Sequence, residues 1–175
     1  MRDDVLVRQL TAEDLAPYKA LRDEMLALHP DAFTSDAETE RQKPASNYFV
    51  RFGSVHAVDG PFTLGAWRGT RLVGAITCER DGRRKVRHIG HVVGMMVCAD
   101  VRGHGVGRAL LDACIARSRE ADGLELLTLS VTSSNVAAVR LYERAGFERY
   151  GRLPRAIKLG DTYHGKDLMV LALRP

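Results

Sequence analysis

The sequence predicts a mixed α/β fold: a central, mostly antiparallel sheet containing one parallel pair of strands, with helices on both faces. Three observations lead there. Two β-rich runs, Phe62 to Trp67 and Arg71 to Cys78, are joined across Arg68-Gly69-Thr70, and Asp81-Gly82 then turns the chain back into a third run ending Val92-Val93-Gly94-Met95-Met96-Val97. Such a succession of hairpin signals gives an antiparallel meander. The third run leads into a helical stripe, Val106, Ala109, Leu110, Ala113 and Cys114, and then into another strand from Leu124 to Val131. A strand, a helix and a strand in that order form a right-handed crossover between parallel neighbours. Finally, Glu148 to Arg152 and Lys166 to Leu173 read as two more strands, so the helices must be shared between the two faces.

Each element has its own signal. Val5 to Leu10 alternates enough for a first strand, and Thr11 with Asp14 three residues on marks a capped helix start. That helix runs to about Leu28 with Leu15, Leu21, Met25 and Leu28 on one face, and His29-Pro30 stops it. From Asp31 to Gly60 the pattern loosens, although Ser35-Asp36-Ala37-Glu38 and Pro44-Ala45-Ser46-Asn47 look like two short helix starts. Arg83-Arg84-Lys85-Val86-Arg87 reads as a solvated hairpin tip and not as a polyanion site, because no aromatic side chain interleaves its charges. Ser133-Ser134-Asn135 can cap a further helix on which Asn135, Ala138, Val139 and Tyr142 share a face, and Gly146 ends it. A long polar connection holding Pro154, Gly160, Tyr163 and His164 is expected between the last two strands.

Length and composition bound the possibilities. A chain of 175 residues is long enough for one sizeable core and short for two, so a single domain over 1–175 is expected. With 45% hydrophobic and 27% charged residues it is an ordinary globular composition. A net charge of +4 suits an anionic ligand but is too mild and too dispersed for a nucleic-acid partner. Met1-Arg2-Asp3-Asp4 carries acids with no long apolar run behind it, so neither a secretory leader nor a membrane partner is expected and the cytoplasm is the expected compartment. Cys78, Cys98 and Cys114 are odd in number and lack ligand spacing, which points to reduced thiols, no disulfide framework and no metal site. Cys98 ends a strand near the expected ligand but reads as a buried core thiol.

The chemistry-bearing stretch is Arg102-Gly103-His104-Gly105-Val106-Gly107-Arg108, between the third meander strand and the central helix. Amides at a helix N-terminus have no helical acceptor and point at an anion, and glycine lets a pyrophosphate approach the backbone. Arg102 and Arg108 add positive charge. A P-loop would need Gly-Lys-Ser/Thr at the end of the turn, and a dinucleotide fingerprint would need glycine where Arg108 or Leu110 stands, so neither fits. An ordinary glycine-rich connection is the plain alternative.

Arg102-x-x-Gly105-x-Gly107 closely resembles the R/Q-x-x-G-x-G/A motif of the GNAT superfamily of N-acetyltransferases. Asn135-x-x-Ala138-x-x-Leu141-Tyr142-x-x-x-Gly146-Phe147 resembles that family's second signature, in the proper order and on an expected helix. The resemblance covers about Val73 to Leu173 and implies a GNAT-type acyl-CoA N-acyltransferase fold with acetyl-CoA as cosubstrate. It implies that backbone groups of Met95, Met96 and Val97 hold the pantetheine and polarise the thioester carbonyl, and that Gly103, His104, Gly105, Val106, Gly107 and the two flanking arginines hold the pyrophosphate. It further implies that Asn135 contacts the cofactor and that Tyr142, also at the cofactor, is the general acid. An aromatic packing residue with a hydrogen-bonded tip is the other reading of Tyr142.

The general base departs from familiar branches. Ribosomal-protein acetyltransferases carry a Glu five residues before the Asn, where this chain has Ser130; histone acetyltransferases carry a Glu eleven residues before the leading Arg/Gln, where His91 stands. A neutral imidazole with an unperturbed pKa near ~6.5 can take a proton from an ammonium, directly or through water. Strand parity puts His91 on the face of Met95 and His88 on the other; Glu79, ordered water and a purely structural His91 remain open. The reaction the resemblance implies is acetyl transfer to a primary amine of a small molecule or an exposed peptide or protein. A non-catalytic acyl-CoA-binding or sensing domain and, further off, an NAD-type oxidoreductase are the rivals. The acceptor cleft is expected from Met25 to Val55 and the last strand connection, where Asp31, Asp36, Glu38 and Glu40 would attract a cation or form a solvated face. Relatives are often dimers, which leaves a homodimer open.

Overall fold

A computed structural model describes residues 5–54 and 59–174. The acidic N-terminus Met1 to Asp4, and Val55 at the end of the expected acceptor segment, lie outside the described residues. Seven strands form one sheet in the order β1-β2-β3-β4-β5-β7-β6: β1 Val5–Gln9, β2 Phe62–Arg68, β3 Arg71–Arg80, β4 Ile89–Val97, β5 Leu126–Thr132, β6 Glu148–Leu159 and β7 Thr162–Ala172. Every neighbouring pair is antiparallel except β4 and β5, which run parallel.

Five helices flank it: α1 Leu15–Leu28, α2 Ala37–Arg41, α3 Phe49–Phe52, α4 Val106–Glu120 and α5 Val136–Arg144. Alternation along β3 separates the two faces. Thr77 and the Tyr18 hydroxyl of α1 both flank Gly94, whereas Gly74 meets Leu110 and Val106 of α4 and Cys78 approaches the Ser118 hydroxyl of the same helix. The Thr11 amide donates to Asp14 Oδ2 at 2.8 Å, and Asp14 also takes both Arg8 guanidinium nitrogens at 2.8 Å, which ties the start of α1 to β1. In α1 the core positions are Tyr18, Leu21, Met25 and Leu26; Leu28, expected among them, is 56% exposed at the helix end, where the His29 amide caps on the Met25 carbonyl. No helix of the described residues is long and apolar enough to cross a membrane.

Two features depart from the alternation read in the sequence. Thr77 pairs with Val93 but Ala75 with Met96, so β4 carries one extra residue there, and Gly94 sits in the bulge at φ +59°. A bulge of one residue reverses the facing of everything beyond it. His91, Val93 and Met96 therefore share the α1 face, while Met95 turns to the α4 face, its Cε 3.4 Å from where a Cβ on Gly107 would stand. The shared face expected for His91 and Met95 does not exist. The second departure is the expected polar connection around Pro154, which is instead part of a long β6–β7 hairpin turning at Gly160 (φ +55°). The β6 ladder shifts between Leu153 and Ile157, with Arg155 at φ +53°; proline and irregular spacing are tolerated because β6 is an edge strand and largely exposed.

Candidate active site

The parallel pair is short. Only Ile89, Gly90 and His91 of β4 pair with Leu126, Leu127 and Thr128 of β5, and beyond that rung the strands diverge. The gap is a cleft of about 310 Å³ lined by Val92 to Met95 from β4, Ser130 to Thr132 from β5, and Asn135, Ala138 and Tyr142 at α5. Its other wall comes from Ala32 to Ser35, Arg22 of α1, Arg51 of α3 and Lys166 of β7. The β4 edge that faces this gap has no strand partner past His91 among the described residues, so its backbone groups are open to a ligand.

The glycine turn abuts this gap through Met95. Gly103 and Gly105 both have left-handed φ, +80° and +83°, and a Cβ added to either would meet no atom within 4 Å. The space beside them is open. The first helical bond of α4 runs from the Ala109 amide to the Gly105 carbonyl at 2.9 Å, so the Val106, Gly107 and Arg108 amides have no acceptor within the helix. Gly107 differs: a Cβ there would stand 3.4 Å from both Leu141 Cδ2 and Met95 Cε, so the start of α4 lies close against α5 and β4 at this position. Arg102 lies across the turn, donating from Nε to the Val97 carbonyl at 3.1 Å and from Nη2 to His29 Nε2 at 2.7 Å. Arg108 is held away from the turn by Asp112 (2.7 Å) and the Arg144 carbonyl (3.2 Å), while His104 Nδ1 lies 3.0 Å from the Arg102 carbonyl.

At α5, Asn135 Oδ1 accepts from the Ala138 amide at 3.2 Å, so this side chain caps the helix as well as lining the cleft. Tyr142, two helical turns on, is 6% exposed with its ring edge-on to Phe147 at 5.9 Å. Burial pushes its phenol above the usual tyrosine range, so it keeps its proton at neutral pH. Met96 is buried on the α1 face and is not among the residues that line the cleft. His91 stands outside the cleft lining, exposed, with Nδ1 2.7 Å from Thr128 Oγ1 and opposite Glu79 in the β3–β4 ladder. Cys98 is buried, and burial raises its thiol.

Sequence reasoning missed Arg22 and Lys166 in the other wall of the cleft, whereas Ala32 to Ser35 and Arg51 fall within the segment expected to build an acceptor cleft. Glu40 and Asp36, expected as possible attractants for a cation, are committed elsewhere: Asp36 caps α2 by accepting from the Thr39 amide at 2.8 Å, and Glu40 is 6% exposed beneath Arg22. Arg22 Nε binds Glu40 Oε2 at 3.1 Å, the Tyr48 hydroxyl donates to the same oxygen at 2.6 Å, and Lys43 takes the other oxygen. Burial alone would raise the Glu40 carboxyl, but these donors bring it down to about 2. Arg22 had a signal, since it sits one residue from Leu21 and four from Tyr18 on the buried stripe of α1, where a lone charge needs a partner. Lys166 had none.

The gapped sheet, the glycine turn ahead of α4 and the buried Tyr142 of α5 occur together in a family that comparison with known proteins identifies. The chain belongs to the acetyltransferase (GNAT) family, whose sequence model matches residues 19–147. It is 36% identical over 135 residues to a mycothiol acetyltransferase of Propionibacterium freudenreichii subsp. shermanii, an alignment that covers 77% of this chain but only 40% of the relative. The chain thus spans well under half of that relative's length. Among solved structures it resembles an acetyltransferase of the GNAT family from Streptococcus pneumoniae (TM-score 0.85, 24% identity, 97% of this chain and 99% of that one). It also resembles a Salmonella typhimurium protein solved with its cofactor acetyl-CoA (TM-score 0.80, 20% identity, 98% and 95%).

Proposed function

We propose that this chain transfers the acetyl group of acetyl-CoA to a primary amine of a small molecule or an exposed peptide, with both substrates held together in the cleft. The observation that carries this reading is the gap between β4 and β5, which has a buried tyrosine in its wall and, through Met95 of its lining, adjoins an open glycine turn. The fit to acetyl-CoA rests on three local features: the free β4 edge, the unpaired amides of Val106 to Arg108, and the empty space beside Gly103 and Gly105. When bound, acetyl-CoA supplies an activated acyl group.

The protein's part is positioning and proton movement. Gly103 to Gly107 and their amides hold the diphosphate, the turn being a concave set of donors backed by the N-terminal end of the α4 dipole. The Met95, Met96 and Val97 backbone orients the acyl arm and its amides polarise the carbonyl; the Val97 carbonyl is already taken by Arg102, which fixes the end of β4. Asn135 holds the start of α5 and so sets the position of Tyr142. Tyr142 keeps its proton until the thiolate leaves and then delivers it from the phenol oxygen. The ammonium of the acceptor must lose a proton before it can attack, and His91 accepts that proton through water, since its ring lies outside the cleft lining.

Coenzyme A thiol release tests the reading: acetyl-CoA alone should release thiol slowly, and a pooled amine library should raise the rate by orders of magnitude with acetylated product detected by mass. Amine-independent release, or none at all, would leave an acyl-CoA-binding domain.

A further inference from the structure

The cleft wall opposite the glycine turn contributes three cations, Arg22, Arg51 and Lys166, and no Asp or Glu. Their partners stand behind them and are too few. Glu40 serves both Arg22 and Lys43, and Glu79 takes Arg51 Nε at 3.0 Å. Lys166 has no carboxylate within 4.0 Å among the described residues; its Nζ donates only to Thr34 Oγ1 at 2.8 Å. The adjacent Ser35 accepts from Arg22 Nη2 at 3.0 Å, so two cations converge on consecutive hydroxyls at the rim of one cavity. Its neighbour in the chain, Asp167, cannot help, because strand alternation sends that carboxylate to Ser133, Arg149 and Arg152.

We infer that the acceptor carries a carboxylate beside its amine, as a free amino acid does, and that Lys166 with Arg51 and Arg22 recognises it. This deepens the acetyl-transfer reading above and rests on it. Lys166 is half-buried, and the loss of water lowers its affinity for a proton; an arriving carboxylate restores the missing counter-charge in a place where water screens little. A cationic amine such as a polyamine, or a lysine within a basic peptide, would bring a second like charge to the same wall. A protein N-terminus would bring a neutral peptide carbonyl where the carboxylate should be. The β7 backbone of Lys166 is paired with Thr132 of β5 and Leu153 of β6, so its side chain can be changed without touching the ladder.

The experiment measures kcat/KM at saturating acetyl-CoA for the common L-amino acids, each alongside its amide and its decarboxylated amine, with wild type and Lys166→Met. At least one amino acid should exceed its amide and amine by about 100-fold. Lys166→Met should lower that value about 10- to 100-fold, mainly through KM, and leave the amide and amine within about threefold. Arg51→Gln should act in the same direction. An amide or amine acetylated as well as its amino acid, or an equal loss for all three acceptors in Lys166→Met, would overturn the inference while leaving acetyl transfer intact. No thiol release with any acceptor, carboxylated or not, would overturn the acetyl-transfer reading and this inference with it.

Discussion

At the start of α4 the groups left open are backbone amides and bare glycines; on the α1 side of the cleft the lining is long charged side chains drawn from α1, α3 and β7. The first kind of site is preorganised, because amides fixed by the start of a helix cost nothing to align when a diphosphate arrives. The second is tuned by pairing, and its reach and charge can change one residue at a time. The difference separates two kinds of recognition within one molecule: under the proposed function the cosubstrate is met by main chain and the acceptor by side chain.

Changes at four positions would break or sharpen that contrast. The largest effect is expected for Gly105→Glu. A carboxylate would enter the open space of the turn against the α4 dipole, and a side chain at φ +83° adds strain of about 1–2 kcal/mol. Calorimetry should find acetyl-CoA binding lost by about 1,000-fold or more while the far-ultraviolet spectrum stays native; retained affinity would remove the turn from the site. Next comes Glu40→Ala, which strips the counter-charge from buried Arg22. Breaking such a pair costs about 3 kcal/mol, to be read as a lower denaturation midpoint at neutral pH. The same carboxyl makes a pH prediction. Its folded value, about 2, lies below the ordinary 4.5, so the stability it lends is present above about 4.5 and is lost as pH falls towards 2. Glu40→Gln should flatten that limb of the stability curve.

Tyr142→Phe keeps the packing on Phe147 and removes only the hydroxyl that would donate the proton, so turnover should fall about 100-fold with acetyl-CoA affinity nearly unchanged. Unaltered turnover, with chemistry rate-limiting, would make Tyr142 a packing residue. The smallest effect belongs to His91→Ala. If His91 serves through water, the pH profile of kcat should lose one limb in the variant and kcat should decline only several-fold. A profile that survives intact would give the limb to the acceptor amine or to Glu79.

The contrast also explains what could be read in advance. The mixed sheet, the hairpins, the Thr11–Asp14 start of α1, the two motif helices and the glycine turn were legible because each depends on local spacing: alternation, a helical stripe, or a residue type that only one backbone geometry requires. Three things were not. The Gly94 bulge is a single extra residue inside an otherwise regular apolar run, and only the partner strand reveals it. The insertion of β7 between β5 and β6 is a matter of which distant edges meet, and the polar, exposed face of β6 hides its strand character. The cationic wall of the cleft assembles Arg22, Ser35, Arg51 and Lys166 from segments scattered through most of the chain, and no local pattern joins them.

The three-rung seam between β4 and β5 has a mechanical consequence. Seven strands look like one continuous slab, yet along that line it is joined only over the short stretch from His88 to His91, where the His88 carbonyl takes the Glu125 and Leu126 amides and Ile89, Gly90 and His91 pair with β5, with β1 to β4 on one plate and β5, β7 and β6 on the other. Amide hydrogens at that seam should therefore exchange faster than those at the centre of either plate, because parting the plates there breaks few bonds. A cosubstrate laid along the open β4 edge would act as a splint across the crack, and its binding should be legible as slowed exchange on both plates at once.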